Sequence, residues 1–219
     1  MPYIWINQTI MKHLITLLLI ILTLNGYSQS KSEINEYYKE ICGNWEWNGK
    51  KKPKRYKKDV KIFVRGLTND SLEMELHSIV KELNHLINSI EISIVTDSSE
   101  SNIYMYFGGA EDFVNSINEP QYMKDWRLSM TETNWGCAWV KEGDNHIINS
   151  KVFIDTERND SLVRLKHLLR EELTQALGFP NDSYKYSNSI FQQKWTEVTE
   201  YSKIDKEIIK LHYNNTPQL

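Results

Sequence analysis

The amino-acid sequence predicts an α+β domain in which a mixed sheet packs against helices. Short segments with alternating apolar residues and longer segments with apolar residues at helical spacing follow each other along the chain. Their order is irregular, whereas a doubly wound parallel sheet would need strand and helix to alternate regularly. About 190 residues follow an apolar N-terminal stretch, which is enough for one domain with a hydrophobic core.

The N-terminal residues have the layout of a secretory signal peptide. An almost wholly apolar run covers residues 14–24, follows Lys12 and precedes small residues that end at Ser28. The run is shorter than the roughly 20 residues that a membrane helix needs. We therefore expect residues 1–28 to be a signal peptide that is removed on export. Translation is expected to start at Met11. The mature chain is expected to be secreted or periplasmic, with no transmembrane anchor after signal cleavage.

Residues 29–58 predict an N-terminal helix followed by a basic linker. The segment "SEINEYYKEICGNW" has apolar residues at helical spacing behind Ser32 as a candidate cap. The next segment, "KKKPKRYKK", is interpreted as a solvated loop, and contact with anionic lipid or polysaccharide is the alternative. The formal net charge of -3 argues against a nucleic-acid-binding protein, so no nucleic acid is expected as a partner.

Strands and helices then alternate irregularly over residues 59–219. The strand predictions, in order, are "DVKIFVRG", "IEISIVT", "NIYMYFG", "NWGCAWV" and "HIINSKVFI". Helices are predicted for "NDSLEMELHSIVKELNHLI", with Asp70 and Glu73 as a capping box, for "AEDFVNSI", for a segment capped by Asp160 or Ser161, and for "KIDKEIIKLHY". A loop rich in proline, asparagine and serine precedes the closing helix.

The helix behind Asp160 or Ser161 carries the run "LLREELTQALGFPND", residues 168–182. On a helical wheel Glu172 lies at the centre of the apolar face, with Gln175 about 60° and Glu171 about 100° to one side. A buried carboxylate is costly unless it is paired or hydrogen-bonded. Glu172 is therefore either a catalytic or binding group facing a cleft, or a structural carboxylate. In the second case it is satisfied by backbone donors or by one of the arginines Arg158, Arg164 and Arg170.

This run, together with "NIYMYFG", "GCAW", "IINSKVFI", "SIF" at residues 189–191 and "SKIDKEIIKLHY", resembles the exported bacterial family called domain of unknown function 2927. Its layout is similar to that of the zincin metallopeptidases, of the metzincin kind. The resemblance implies a zincin-like domain over residues 59–219, with a mixed twisted sheet, an active-site-type helix and a C-terminal helix. It places Glu172 at the general-base position and Glu171, Gln175 and Asn181 at three zinc-ligand positions.

The substituted ligand positions decide which chemistry is expected. Gln175 and Asn181 offer only neutral amide oxygens, which suit calcium better than zinc. No metal and no other cofactor is expected; calcium or another ion bound with help from Asp182 is the alternative. A ladder of His167, Glu171 and Gln175 spans about 12 Å, too far for three side chains to share one ion.

The function expected from these residues is therefore non-catalytic. The protein is predicted to be a pseudoenzyme with a binding or structural role in the cell envelope. Its partner is expected to be an extended peptide or an envelope component lying along the edge strand "GCAWV". The alternative is a hydrolase that uses an atypical metal site or the metal-free carboxylates Glu171 and Glu172.

Two further residue classes leave alternatives open. Cys42 and Cys137 would meet an oxidising compartment after export, where they form either a disulfide or two buried free thiols. Trp126, Trp135 and Trp139 are close enough in sequence to share a sugar-stacking surface, although aromatic residues at this density more often build a core.

Overall fold

The bounds of the helices and strands follow the sequence periodicity closely. The computed structural model describes residues 30–43, 53–67, 69–159 and 161–214. The predicted signal peptide, residues 1–28, lies outside the described residues. The described residues from 34 to 214 form one compact unit, and the first helix begins at Lys31. Across the described ranges, no helix combines the length and apolarity needed to cross a membrane.

The strands are β1 (Val60–Arg65), β2 (Ile92–Val95), β3 (Ile103–Gly108), β4 (Gly136–Glu142) and β5 (Ile147–Asp155). The helices are α1 (Lys31–Gly43), α2 (Asp70–Leu86), α3 (Ala110–Ser116), α4 (Gln121–Thr133), α5 (Leu162–Ala176) and α6 (Lys203–Asn214), with a single 3-10 turn at Ser98–Glu100 described between β2 and β3. Each strand predicted from the sequence is present at the predicted place.

The five strands form one mixed sheet in the order β2-β1-β3-β5-β4. The first four run parallel, and β4 pairs antiparallel with β5 at the edge of the sheet. A register shift between Lys141 and Glu142 ends the regular pairing of β4. The predicted α+β class with a mixed sheet is confirmed, and "GCAWV" is an edge strand.

Helices cover both faces of the sheet. The larger core lies on the side of α5 and also takes residues from α1, α2 and α6, among them Tyr38, Ile79 and Ile208. The smaller core lies on the opposite side, where Phe113 of α3 packs against Phe153 of β5 with ring centroids 5.2 Å apart. Successive side chains of a strand point to opposite faces of the sheet, so β4 borders both cores.

Helix α4 is the element that the sequence analysis missed. Only Arg127 and Thr131 of this helix are buried, while Tyr122 and Trp126 are exposed, so the segment lacks the buried apolar stripe by which amphipathic helices are recognised. One helix cap also differs from the prediction. Asn69, not Asp70, caps α2 by accepting hydrogen bonds from the backbone N–H groups of Ser71 and Leu72.

Residues 54–56 of the basic run pack onto the domain, so the interpretation as a solvated loop is wrong for them, whereas Lys57 and Lys58 are exposed. Lys54 forms an ion pair with Glu142 at 2.9 Å. Arg55 donates a hydrogen bond to the backbone carbonyl of His212. Tyr56 is buried in the larger core. These contacts use two of the positive charges internally.

Gly178 ends α5, and we predict that its replacement by alanine destabilises the protein. Its φ is +113°, and a Cβ atom there would lie 2.3 Å from the carbonyl oxygen of Lys54. We expect Gly178→Ala to lose more than about 2 kcal/mol of unfolding free energy, measured by urea denaturation. Gly143→Ala is the control, because its Cβ would meet only side-chain atoms at 3.3 Å or more. Equal stabilities of the two variants would contradict this account.

Candidate functional site

A cleft of about 1200 Å³ follows the open edge of β4. Residues 136–141 of the strand line the cavity, as does Trp135 just before it. Helix α4 supplies one wall, and α5 with the loops that follow it supplies the other. Every site residue predicted from the sequence lies on this cleft: Glu171, Glu172, Gln175, Asn181 and Asp182.

The backbone of β4 presents hydrogen-bonding groups to this cleft. The N–H of Asp155 donates to the carbonyl of Trp135 at 2.8 Å, which marks these two residues as a hydrogen-bonded pair. Bonded and non-bonded pairs alternate along an antiparallel ladder. The odd-numbered residues of β4 therefore bond to β5. The even-numbered residues turn their N–H and C=O groups to the open edge: Gly136, Ala138 and Val140.

Among the predicted site residues, Glu172 is the one with a buried side-chain oxygen that has no hydrogen-bond partner in the described structure. Its side chain lies against Gly136, where a Cβ atom would be 2.7 Å from Oε1. The residue is 6% exposed, and its Oε2 atom has no hydrogen-bond partner among the described residues. Burial, and then the charges of Glu171 and Asp182, raise the pKa of Glu172 well above its usual value.

None of the three arginines considered as partners of Glu172 pairs with it in the described structure, so that alternative is wrong. Arg158 pairs with Asp155 at 2.5 Å, and Arg164 lies 3.7 Å from Glu197. Arg170 bridges Glu75 and Glu82, at 2.9 and 2.7 Å. The structural explanation by an arginine partner is therefore removed.

Glu171 is held by the residue one turn before it on the helix. His167 Nε2 lies 3.2 Å from Glu171 Oε2, and His167 Nδ1 donates to the carbonyl of Val198 at 2.6 Å. Burial opposes a charge on this ring. The hydrogen bond and charge of Glu171, the carbonyl of Val198 and the charge of Asp182 outweigh burial and raise the pKa of His167. The shift favours the protonated ring, in which both nitrogens donate and the contact with Glu171 is a buried ion pair.

The two amide residues at ligand positions have structural hydrogen bonds. Asn181 Nδ2 donates to the carbonyls of Glu40 and Ile41, at 3.1 and 3.0 Å, and so ties its loop to the end of α1. Gln175 Nε2 donates to Asp182 Oδ1 at 3.0 Å. Each amide therefore fixes a segment of backbone beside the cleft.

The donor set does not fit a catalytic zinc ion. Zinc in such sites takes three strong ligands and keeps a fourth position for water. Here Glu171 is paired with His167, and the side chains of Gln175 and Asn181 are fixed by the bonds they donate. Within the described part of the chain, no three histidine, cysteine or acidic side chains are grouped as a metal site requires.

Sequence reasoning missed a buried network that supports the loop at residues 189–191. Ser189 Oγ donates to Asp205 Oδ1 at 2.5 Å and accepts from the hydroxyl of Tyr37 at 2.8 Å. Asp205 also accepts from the backbone N–H groups of Ile190 and Ser202. Burial raises the pKa of Asp205, although these hydrogen bonds oppose the shift. The network anchors the start of α6 and the loop that continues into the cleft wall.

The α4 wall of the cleft was missed together with its helix. Glu119 accepts hydrogen bonds from Arg127 Nε at 2.6 Å and Nη2 at 2.9 Å, and pairs with Lys151 at 2.7 Å. The hydrogen bond from Arg127 lowers the pKa of Glu119 to about 2 despite partial burial. The guanidinium carbon of Arg127 lies 4.8 Å from the ring centroid of Trp139. These contacts bind α4 to strands β4 and β5.

Tryptophans line the cleft and do not simply fill the core. Trp126 is 46% exposed and Trp195 is 57% exposed. Trp135 meets Trp195 edge to face at the end of the cleft where β4 begins, with ring centroids 5.4 Å apart. Exposed aromatic rings of this kind mark a binding surface more often than a fold requirement.

The cysteines do not form the disulfide that the sequence left possible. Cys42 and Cys137 are both described, and both are free and buried. Burial raises the pKa of each thiol, for Cys137 with a further contribution from the charge of Glu172. They act as small apolar residues.

Comparison with known proteins places the chain in a family. The family model described as "Protein of unknown function (DUF2927)" matches residues 31–218. The chain belongs to the DUF2927 family. A search of curated proteins gives no match to this DUF2927 chain. The match to the family model begins in α1, so α1 belongs to the region that the family shares.

Two solved structures of myroilysin are similar to this DUF2927 protein. One is 12% identical, with a TM-score of 0.40, over 73% of this chain and 93% of that chain. The other is 11% identical, with a TM-score of 0.41, over 78% of this chain and 86% of that chain. A likeness of this size assigns no activity, so the chemistry of the DUF2927 cleft follows from its own residues.

We predict that Glu172→Gln stabilises the protein at neutral pH. Folding raises the pKa of Glu172. The free energy of unfolding therefore begins to fall as the pH rises through the pKa of the unfolded state, and it stops falling above the pKa of the folded state. Removing the charge should gain about 1 to 3 kcal/mol, seen as a higher melting temperature by calorimetry.

This gain should disappear near pH 4, where Glu172 is protonated in both states. Glu200→Gln, which removes an exposed carboxylate, is the matched control and should shift the melting temperature very little. A melting temperature for Glu172→Gln that is unchanged, or lower at pH 7, would show that Glu172 has an internal partner.

Proposed function

We propose that this DUF2927 protein binds an extended peptide segment by adding it as a further strand to β4. The observation that carries the proposal is the row of outward-facing backbone groups at Gly136, Ala138 and Val140, which opens onto the cleft. Strand addition uses such groups for affinity and uses pockets for alternate side chains for specificity. Here both sets of pockets exist, because walls stand on both faces of the strand.

The shape of the cleft favours a single extended chain as the ligand. An open sheet edge is a general risk for unwanted pairing, and natural proteins cover or shorten such edges. The edge of β4 lies between α4 on one face and α5 on the other, so a second folded sheet has no free approach. The small side chains of Gly136 and Ala138 leave the α5 side of the edge accessible to a ligand side chain.

We propose further that binding occurs without cleavage and without zinc. Two observations support this: the ion pair between His167 and Glu171, and the structural hydrogen bonds of Gln175 and Asn181. The predicted signal peptide places this role outside the cytoplasm, in the cell envelope or beyond it. Export is part of the proposal, since residues 1–28 lie outside the described residues.

Hydrolysis is the second candidate, and one observation favours it. Glu172 is a carboxyl group with a raised pKa, lines a cleft and has an oxygen without a partner in the described structure. Perturbed carboxyl groups of this kind occur at catalytic sites. A hydrolase of this design would use Glu172 as a general acid, with Glu171 as the second carboxylate.

We predict that Ala138→Pro abolishes peptide binding while the fold is kept. The N–H of Ala138 faces the open edge, where proline is tolerated, and the proline ring removes the donor and crowds the ligand backbone. Peptides that bind the purified full chain would be selected from a displayed random library. Their affinities should fall about tenfold or more in the variant.

Ala138→Ser is the matched control, because it keeps the N–H and should bind like the wild type. Trp139→Pro should instead unfold the edge strand, because the N–H of Trp139 bonds to β5. Mass spectrometry of the incubated peptides tests the second candidate at the same time. Cleavage that is lost in Glu172→Gln would replace the binding role with hydrolysis, and equal affinity in Ala138→Pro would exclude strand addition.

A further inference from the structure

Glu172 points to the kind of side chain that the bound strand carries. We propose that Glu172, together with Glu171 and Asp182, forms a subsite for the ammonium or guanidinium group of a lysine or arginine in that strand. This inference rests on the proposed function and adds the side-chain specificity with which the bound strand is recognised. It assigns to Glu172 a ligand contact in place of a catalytic step.

The position of Glu172 relative to β4 sets which ligand residue it meets. The carboxylate lies over Gly136, with Oε1 2.7 Å and Cγ 2.9 Å from the place of a Cβ atom. Residues directly opposite each other on neighbouring strands project to the same face of a sheet. The ligand residue opposite Gly136 therefore projects to the α5 face, toward Glu172. Because Gly136 has no side chain, nothing from β4 stands between the two.

The unpartnered oxygen is the observation that points to a ligand. Glu172 is 6% exposed and lines the cleft, and in the described ranges its Oε2 atom meets no hydrogen-bond donor. Other buried polar side chains on α5 have partners: Arg170 bonds to two glutamates, and Thr174 bonds to the carbonyl of Arg170 at 2.6 Å. A buried acceptor without a donor destabilises the free protein. A cationic ligand group would supply the missing donor and the opposite charge.

The charges around Glu172 favour a cation over an anion or a neutral group. Glu171 and Asp182 act on it from α5 and from the following loop, and Cys137 of β4 is close enough to feel its charge. Six basic side chains also line the cleft: Arg127, Lys141, Lys151, Arg164, His167 and Lys194. Arg127 and Lys151 pair with Glu119 on the α4 side, and His167 pairs with Glu171. In the described structure none of the six is paired with Glu172.

The α4 face of β4 sets a second requirement on the bound ligand strand. Trp139 projects to the α4 side, where Met123, Trp126 and Met130 line the cleft. A ligand residue opposite Trp139 meets this apolar wall. Gly136 and Trp139 are three positions apart and project to opposite faces. The bound strand should therefore carry a basic residue and a large apolar residue three positions apart.

The test uses peptides selected from the displayed library, in which one position is varied. Each binder would be made with arginine, lysine, norleucine or glutamate at the basic position, and affinities would be measured for the wild type, Glu172→Gln and Glu200→Gln. In the wild type we expect arginine to bind about tenfold or more tightly than norleucine, because a hydrogen bond to a charged partner is lost. Glutamate at that position should bind most weakly.

In Glu172→Gln the preference for arginine over norleucine should fall several-fold, while norleucine peptides keep their affinity. Glu200→Gln removes the same charge outside the cleft and should keep the full preference. Binders that need the N–H of Ala138 yet show no preference for a basic residue, or keep that preference in Glu172→Gln, would overturn the subsite and leave strand addition standing. A library without any binder would overturn both.

Discussion

The burial of helix α5 is the constraint on which the rest of the structure depends. The helix packs against β4 and β5 on one side and against α2 on the other, and most of its residues from Leu165 to Ala176 are buried. A helix covered on so many sides needs an internal partner for nearly every polar side chain. Arg170 finds two glutamates and the ring of Tyr201, and His167 finds Glu171 and a backbone carbonyl. These partners fix the rotation of α5, and so they place Glu172 against the first residue of β4.

Both ends of the site are fixed by contacts within the chain. Asn181 connects the loop after α5 to the end of α1, and Gly178 fits where a side chain would strike the carbonyl of Lys54. Asp205 gathers the loop at residues 189–191 and the start of α6 through buried hydrogen bonds. The α5 wall is thereby preorganised, which lowers the entropic cost of ordering it around a ligand.

The sequence predicts the parts of the fold that depend on periodicity. The strands are predictable because a two-residue alternation of apolar side chains can be recognised even in a short segment. The helical wheel of α5 places Glu172 correctly in the apolar face. Helix α4 was not predicted, because it is held by the Glu119, Arg127 and Lys151 cluster and not by an apolar stripe. One wall of the cleft was therefore not predicted either. Contacts between distant segments, such as Asn181 with α1, leave no local pattern from which they are predictable.

The site residues themselves could be named from the sequence, but their partners could not. The spacing of Glu171, Glu172, Gln175 and Asn181 brought all four to one cleft. Which of them is paired depends on side chains that lie far away in sequence or on the far wall. The arginines are a clear case, since Arg170 is next to Glu171 in the chain but points to α2. Adjacent helix positions diverge by about 100°, so nearness in sequence did not mean contact.

The motif can be divided according to what each residue does for the folded chain. Gln175 holds Asp182, Asn181 holds α1, Gly178 permits the turn, and Glu171 is paired with His167. Packing and hydrogen bonding explain the residue type at each of these positions, with no need for a metal. Glu172 is the exception, because its burial beside two acids lowers stability and gives the fold nothing in return. A residue that costs stability in the free protein is accounted for when a ligand supplies its partner, and the open edge of β4 beside it is where such a ligand fits.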